Sequence, residues 1–255
     1  MKILDLQCAT DMGIAVYTLG GCCTEEVADS TMCHILNLYR RVSFLNDAVK
    51  TGKKPQNAEQ VRELADGCMR IRGEKLGIVG LGSVGTAVAM RARVFGFDVG
   101  YFDPELSDGR GASLGLKRYK SLQELLFASD CVTVHCTLNR GTQNMFNEYA
   151  FEKMRKVKFI RRVVFSHLLG RILHKYSTRG PSGRTGTNKR VEGMFEFLIN
   201  QNLIFFVKTG QVKAAAIDVL KSEPFDLNTS PLRDAPNLVV TPHASWYSDQ
   251  SQKVQ

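Results

Sequence analysis

Two groups of residues in this chain have the types and spacing to do chemistry. The first is Gly80-Leu81-Gly82-Ser83-Val84-Gly85, a GxGxxG run. Glycine at the first position permits a tight turn, at the second lets a phosphate approach bare backbone, and at the third allows a helix to pack closely on a strand. A helix that opens here aims its unbonded N–H groups at an anion. Eighteen residues past Gly85 stands Asp103. Its carboxylate would accept hydrogen bonds from both hydroxyls of an adenosine ribose and repel a 2′-phosphate, which predicts NAD(H) in preference to NADP(H). The motif alone is weak, and its position after a strand and before a helix is what gives it force.

The second group lies near the C-terminus: Asp218 at the end of AAAIDV, Glu223 in SEPF and His243 in TPHASW. A histidine with a carboxylate partner can move a proton to or from a hydroxyl while hydride moves to or from its carbon. Glu223 would orient the imidazole and favour its protonated form. Strand ends in an open α/β sheet point into the ligand crevice, so Asp218 is expected at the nicotinamide end. An isolated histidine is more often structural, and from these residues alone that reading of His243 stays open beside the acid-base one.

The elements that must position these groups follow from periodicity. Thr24, with Glu25 and Glu26 behind it, reads as a helix N-cap with acids in the first turn. Val27, Ile35, Leu38, Tyr39, Val42 and Leu45 continue a stripe near 3.6 residues, so one long amphipathic helix is expected over 24–50. Strand-like runs follow at Leu76–Val79, Val99–Phe102 and Cys131–His135, with helices over Gly85–Phe95 and Ser121–Ala128 between them. Later strands are expected at Ala214–Val219 and Leu238–Thr241. This alternation specifies an α/β fold, a doubly wound parallel sheet. No internal repeat is visible.

The chain has 255 residues, 44% hydrophobic and 23% charged, which excludes disordered, collagen-like and coiled-coil classes. No apolar stretch approaches the roughly 18 residues of a membrane span. Seven cysteines, with no CxxC pair, suggest neither a disulfide frame nor a metal site, and point to a reducing compartment, cytosol or nucleus. The net charge of +9 is local: residues 157–208 hold ten Lys or Arg against Glu192 and Glu196, leaving the rest nearly neutral. That segment also carries six of the fourteen Phe and shows no alternation that fits a strand followed by a helix. It could bind RNA through phosphate contacts and stacking, or it could be a loop or sequence foreign to the fold.

Several stretches together are similar to the NAD-dependent D-isomer-specific 2-hydroxyacid dehydrogenases. They are EEVADSTMCHILNLYRR (25–41), RIRGEKLGIVGLGSVGTAVAMRARVFGFDVGYFDPELSDG (70–109), LFASDCVTVHCTLN (126–139), GQVKAAAIDVLKSEPF (210–225) and DAPNLVVTPHASWYSDQ (234–250). Within that family, HILNLYRR and Trp246 most resemble the C-terminal-binding protein branch of transcriptional corepressors. The resemblance implies a Rossmann NAD-binding domain over 24–244, with 157–208 atypical. It makes 1–23 a remnant of a flavodoxin-like substrate domain and 245–255 the start of a return helix. It implies cofactor contacts from Gly80, Leu81, Gly82, Ser83, Val84, Gly85, Asp103, Cys136, Thr137, Leu138, Asn139, Thr142, Asp218, His243 and Trp246, and an acid-base pair in His243 and Glu223. Trp246 either lies against a bound keto acid or anchors the core, and Cys136 either lines the cofactor or is a buried small residue. No metal is implied.

Three departures from the family pattern bear on activity. Ser83 stands where relatives usually carry Arg, which removes a side-chain contact to the pyrophosphate. Counting forward from FEKMR puts Phe165 in the place of the Arg that holds a substrate carboxylate, and Arg179 has neighbours that do not match. The opening MKILDLQCATDMGIAVYTLGG resembles the last part of the substrate domain, so most of that domain and the groove for PxDLS-type peptides are expected to lie outside this chain. The resemblance therefore implies an NADH-linked dimeric corepressor of the nucleus, and also of the cytoplasm, with transcription factors and chromatin-modifying proteins as partners, no direct nucleic acid or membrane contact, and weak or lost 2-keto acid reductase activity. The alternative is an active glyoxylate or hydroxypyruvate reductase-like enzyme.

Overall fold

A computed structural model describes residues 11–15, 21–137, 141–142, 145–154, 162–165, 201–219, 226, 228, 230 and 232–254. Seven strands form one sheet: β1 (Lys75–Val79), β2 (Asp98–Phe102), β3 (Lys117–Arg118), β4 (Cys131–Val134), β5 (Arg162–Phe165), β6 (Ala214–Ile217) and β7 (Leu238–Val240). Their order is β3-β2-β1-β4-β5-β6-β7, and every neighbouring pair is parallel. This is the doubly wound sheet expected from the alternation, with the strand order reversing between β1 and β4. Crevices for ligands open outside the carboxyl ends of the strands at such a reversal.

Parallel strands covered on both faces need continuous apolar runs, and β1, β4 and β6 have them. Successive residues alternate between two cores because side chains of a strand point to opposite faces. Leu76, Ile78, Cys131, Ala214 and Ala216 join one cluster with Val27, Ile35 and Tyr39 of α1 (Thr24–Arg40) and Val84, Val88 and Ala92 of α4 (Ser83–Val94). Val79, Val132, Val134, Ala215 and Ile217 join the other, beneath α6 (Leu122–Ala128), α7 (Glu148–Lys153) and α8 (Gln201–Lys208). Short helices α2 (Val42–Lys50), α3 (Ala58–Leu64), α5 (Asp108–Ser113) and α9 (Asp249–Val254) complete the described elements.

The helix expected over 24–50 is two helices. Arg41 breaks it, with φ 55 and ψ 32. The Arg41 guanidinium donates to the Asp66 carbonyl and to Asn237 Oδ1 (3.3 Å), and lies 4.0 Å over the Phe44 ring. Those contacts hold a left-handed non-glycine residue that costs roughly 1–2 kcal/mol. Two of them, to Asp66 and Asn237, lie far away in sequence, and no local signal announces those. Beyond the break the apolar stripe leaves the core: α2 buries only Ala48, while Val42, Phe44 and Val49 are exposed. The cap is also displaced by one residue. Cys23 occupies it without a side-chain hydrogen bond, and Thr24 is the first helical residue.

The segment 157–208 is less foreign than its composition suggests. Arg162–Phe165 forms β5, in register between Val134 of β4 and Ile217 of β6 at its last residue. Gln201–Lys208 forms α8, which buries Leu203, Phe206 and Val207, with Phe206 stacked on Phe151 at 5.1 Å. The expectation that no strand and helix fit here is therefore corrected at both ends. RVVF was hidden because a central parallel strand needs no alternation and this one opens on two arginines, Arg161 and Arg162. The remainder of the segment, including Arg179, lies outside the described residues, as do most of 1–23.

Candidate dinucleotide site

The glycine turn is built where β1 ends. Gly80 has φ +90, and a Cβ there would stand 2.7 Å from the Cys136 backbone N. Its N–H donates to the Phe102 carbonyl (2.9 Å), tying the turn to the end of β2. A Cβ on Gly85 would lie 2.1 Å from the Gly80 carbonyl oxygen, so α4 packs against the turn only because that position is bare. Gly82 differs: nothing lies within 4 Å of its Cβ position, and it is exposed with Ser83. Two glycines are thus demanded by the protein's own packing, while the third faces open space at the first turn of α4. The N–H groups of Ser83, Val84 and Gly85 have no acceptor within the helix at that end. Leu81 and Val84 are buried below as the turn's apolar footing. An anionic diphosphate fits this cradle.

Asp103, just past β2, is locked beside it. Its Oδ2 accepts the Leu81 N–H (2.9 Å) and its Oδ1 the Glu105 N–H (3.0 Å), while its carbonyl accepts from Arg118 (3.0 Å). A carboxylate has about four lone-pair sites, so two remain for a vicinal diol. Cys136 follows β4 and touches the turn. Burial, with the nearby Asp103 charge, pushes its thiol up to about 11. It is a neutral, half-buried group 3.7 Å from Met145 Sδ, suited to lining an apolar surface and not to nucleophilic work. Thr142 donates to the Thr137 carbonyl (2.7 Å), closing the loop whose Leu138 and Asn139 lie outside the described residues.

The second group gathers at the ends of β6 and β7. Asp218 is only 1% exposed, and the chain after β7 wraps around it. Oδ1 accepts the Thr241 hydroxyl (2.5 Å) and the Ala244 N–H (3.1 Å), and Oδ2 the Ser245 N–H (3.1 Å). To return three groups of five consecutive residues to one carboxylate the chain must turn sharply through Pro242 and His243. His243 accordingly has φ 56, a left-handed conformation held by its surroundings. Trp246 secures the same residue: its indole N–H donates to the His243 carbonyl (2.7 Å), and its ring packs against the first core cluster and edge-on to Tyr247. Those contacts are what the anchor reading requires, and they leave the reading beside a keto acid open. Glu223 lies outside the described residues.

Two residues that sequence reasoning passed over belong to this cluster. Thr241 supplies the shortest bond to Asp218, and His34 of α1 stands 3.4 Å from the Thr241 hydroxyl. Burial pushes the His34 imidazole below its ordinary value, with Asp218 opposing. No signal nearby in sequence joins positions 34, 218 and 241. Among the described residues no group of three or more His, Cys, Asp or Glu could hold a metal ion, and no helix is long and apolar enough to cross a membrane.

A sheet reversing between β1 and β4, a glycine turn opening a helix, a carboxylate at the end of β2 and a histidine loop over the last strands define a class of NAD-binding dehydrogenase domain. The profile of the D-isomer specific 2-hydroxyacid dehydrogenase NAD binding domain matches residues 32–161 and 197–245. The chain belongs to that family, and its cofactor is NAD. The unmatched stretch, 162–196, is narrower than the compositional anomaly. The chain is 36% identical over 252 residues to C-terminal-binding protein 1 of Caenorhabditis elegans, covering 98% of this chain and 30% of that protein. It is 26% identical over 262 residues to hydroxypyruvate reductase of Blautia hydrogenotrophica, covering 99% of this chain and 68% of that protein. Among solved structures it is similar to apo D-mandelate dehydrogenase of Rhodotorula graminis, at 25% identity and a TM-score of 0.75, covering 97% of this chain and 64% of the other.

Proposed function

We propose that the chain is an NAD(H)-binding transcriptional corepressor of the 2-hydroxyacid dehydrogenase family, a dimeric nuclear scaffold with weak or lost reductase activity toward 2-keto acids. The observation that carries the cofactor part is the contrast within the glycine turn, where Gly80 and Gly85 are closed in by protein and Gly82 is not. The corepressor part is supported by 36% identity across nearly the whole chain to a C-terminal-binding protein, against 26% to a reductase. The chain spans less than a third of that first relative, so partners and activity of a whole protein are part of the proposal. Transcription factors and chromatin-modifying proteins are the partner classes it names. Direct nucleic-acid and membrane contacts are not part of it.

NADH when bound supplies a hydride. The chain's own part is to hold it: backbone N–H groups of 83–85 take the pyrophosphate and Asp103 takes the ribose diol. His243 holds a proton at its imidazole, with Glu223 as its partner, on backbone that Asp218 and Trp246 fix. Phe165, at the end of β5, stands where the family's carboxylate-binding Arg is expected, and an aromatic ring does not replace a planar guanidinium fork. Positioning of the reacting groups can supply roughly 7–11 kcal/mol of barrier reduction, so the loss of that Arg leaves a poised proton donor with a poorly held substrate. Exposed Val42, Phe44 and Val49 on α2 supply apolar surface for a second copy.

The reductase alternative has one observation in its favour, the retained clamp on His243. NADH oxidation with glyoxylate, pyruvate and a methionine-derived keto acid separates the two. Rates at the substrate-free background agree with the corepressor reading. Brisk saturable turnover of any of them makes the chain a reductase.

A further inference from the structure

Helix α1 presents Glu26, Ser30 and His34 at four-residue spacing, on one face. Each meets the segment after β7, in reverse order along it. The Ser248 hydroxyl donates to Glu26 Oε1 (2.7 Å), the Ser30 hydroxyl to the Ser245 carbonyl (3.5 Å), and His34 Nε2 faces Thr241 Oγ1 at 3.4 Å. Helix and loop are therefore aligned antiparallel over the very residues that carry His243. Of the three helix residues His34 is the buried one, 9% exposed.

We infer that His34 is a positioning residue for His243: donating from Nε2, it fixes the Thr241 hydroxyl, which in turn fixes Asp218 and the loop wrapped around it. The direction follows from counting protons. A hydroxyl has one proton, and that of Thr241 goes to Asp218 Oδ1. The contact with His34 therefore needs its proton from the imidazole, which sets the Nε2–H tautomer. Chains of hydrogen bonds polarise one another, so a donor behind Thr241 strengthens its bond to the carboxylate. Asp218 also accepts the N–H groups of Ala244 and Ser245, so its orientation sets the backbone just after the left-handed His243, while the Thr241 hydroxyl ties the chain just before it.

The functional weight of this inference rests on the reading of His243 as the proton-holding residue, but its test needs no turnover. Nitrogen-15 spectra of the histidines in the native chain should show His34 in the Nε2–H tautomer at neutral pH. An Nδ1–H tautomer overturns the inference. In variants, the titration of His243 is followed through its imidazole resonances beside NADH affinity. His34→Leu and Thr241→Val should each displace the His243 titration and weaken NADH about 3- to 10-fold, the range one internal hydrogen bond is worth. His34→Gln keeps a donor and should restore both. If Leu and Gln at 34 behave alike, or if neither 34 nor 241 moves the His243 titration, His34 is only a space-filling residue. Should His34→Leu not fold, the tautomer and the pair Thr241→Val and Thr241→Ser still decide. Absence of NADH binding by the native chain would remove the cofactor reading and leave the tautomer result standing.

Discussion

Gly82 and Gly85 are three residues apart in one motif, yet the structure predicts opposite consequences when each gains a side chain. At Gly85 a Cβ would stand 2.1 Å from the Gly80 carbonyl oxygen and 3.3 Å from Ile78 Cγ2. The first is more than 1 Å inside ordinary contact, and the atom it meets is backbone, which moves only if the whole turn moves. Gly85→Ala gains up to about 1 kcal/mol of helix propensity. Overpacking against backbone outweighs that, costing about 1–3 kcal/mol or more. For a chain of this size the net loss lowers Tm by a few degrees, with or without cofactor. At Gly82 φ is −70 and nothing lies within 4 Å of a Cβ, so the Cβ of Gly82→Val meets no protein and the change costs under about 1 kcal/mol as a poorer cap residue. It does fill the space the diphosphate needs, and NADH affinity falls at least about tenfold, roughly 1.4 kcal/mol. The assays are thermal unfolding and NADH titration on both variants. A Gly85→Ala chain as stable as the parent, or a Gly82→Val chain that binds NADH equally well, refutes this reasoning.

Asp103→Ala should weaken NADH at least about tenfold and narrow the preference over NADPH, read from paired titrations, because both ribose bonds and the repulsion of a 2′-phosphate are lost. Stability should fall on acidification. His34 is pushed down in the folded chain, and the unfolded imidazole titrates near about 6.5, so below that pH the unfolded state binds more protons and gains. The loss begins near that value and levels off once the folded imidazole is also protonated; urea midpoints across pH 7.5 to 5 should show it, and His34→Gln should flatten it. NADH should favour a dimer in sedimentation at micromolar concentration, with Phe44→Glu shifting it toward monomer; a monomer throughout contradicts the dimeric scaffold.

The parts of this molecule read from local sequence are those whose causes are local. Glycine spacing, the acid at the end of β2 and four-residue apolar runs produced the cradle and most strands nearly in place, because a central parallel strand declares itself by continuous burial. The break at Arg41 is only partly local: Phe44 and Asn37 lie close by, but the guanidinium is held by Asp66 and Asn237, far off in sequence, and an arginine in the left-handed region has no sequence signature. Asp218 was expected at the nicotinamide end from its place at a strand end alone. That its carboxylate organises the loop that bears His243 was not legible, because the arrangement depends on Thr241, Ala244 and Ser245 returning from the next strand. β5 was missed because composition dominated: the basic, aromatic surroundings obscured RVVF, which only its neighbours β4 and β6 identify as a strand.

Trp246 is the only tryptophan in the chain, and it packs on the same core that supports Leu81 and Val84 of the glycine turn. Energy transfer from its indole to bound NADH therefore tests the central claim most directly, with NADPH titrated in parallel. The account predicts a saturable transfer signal with NADH, a markedly weaker one with NADPH, and loss of the NADH signal in Gly82→Val while the fold is retained. No saturable signal with NADH, or equal signals with both dinucleotides, would contradict it.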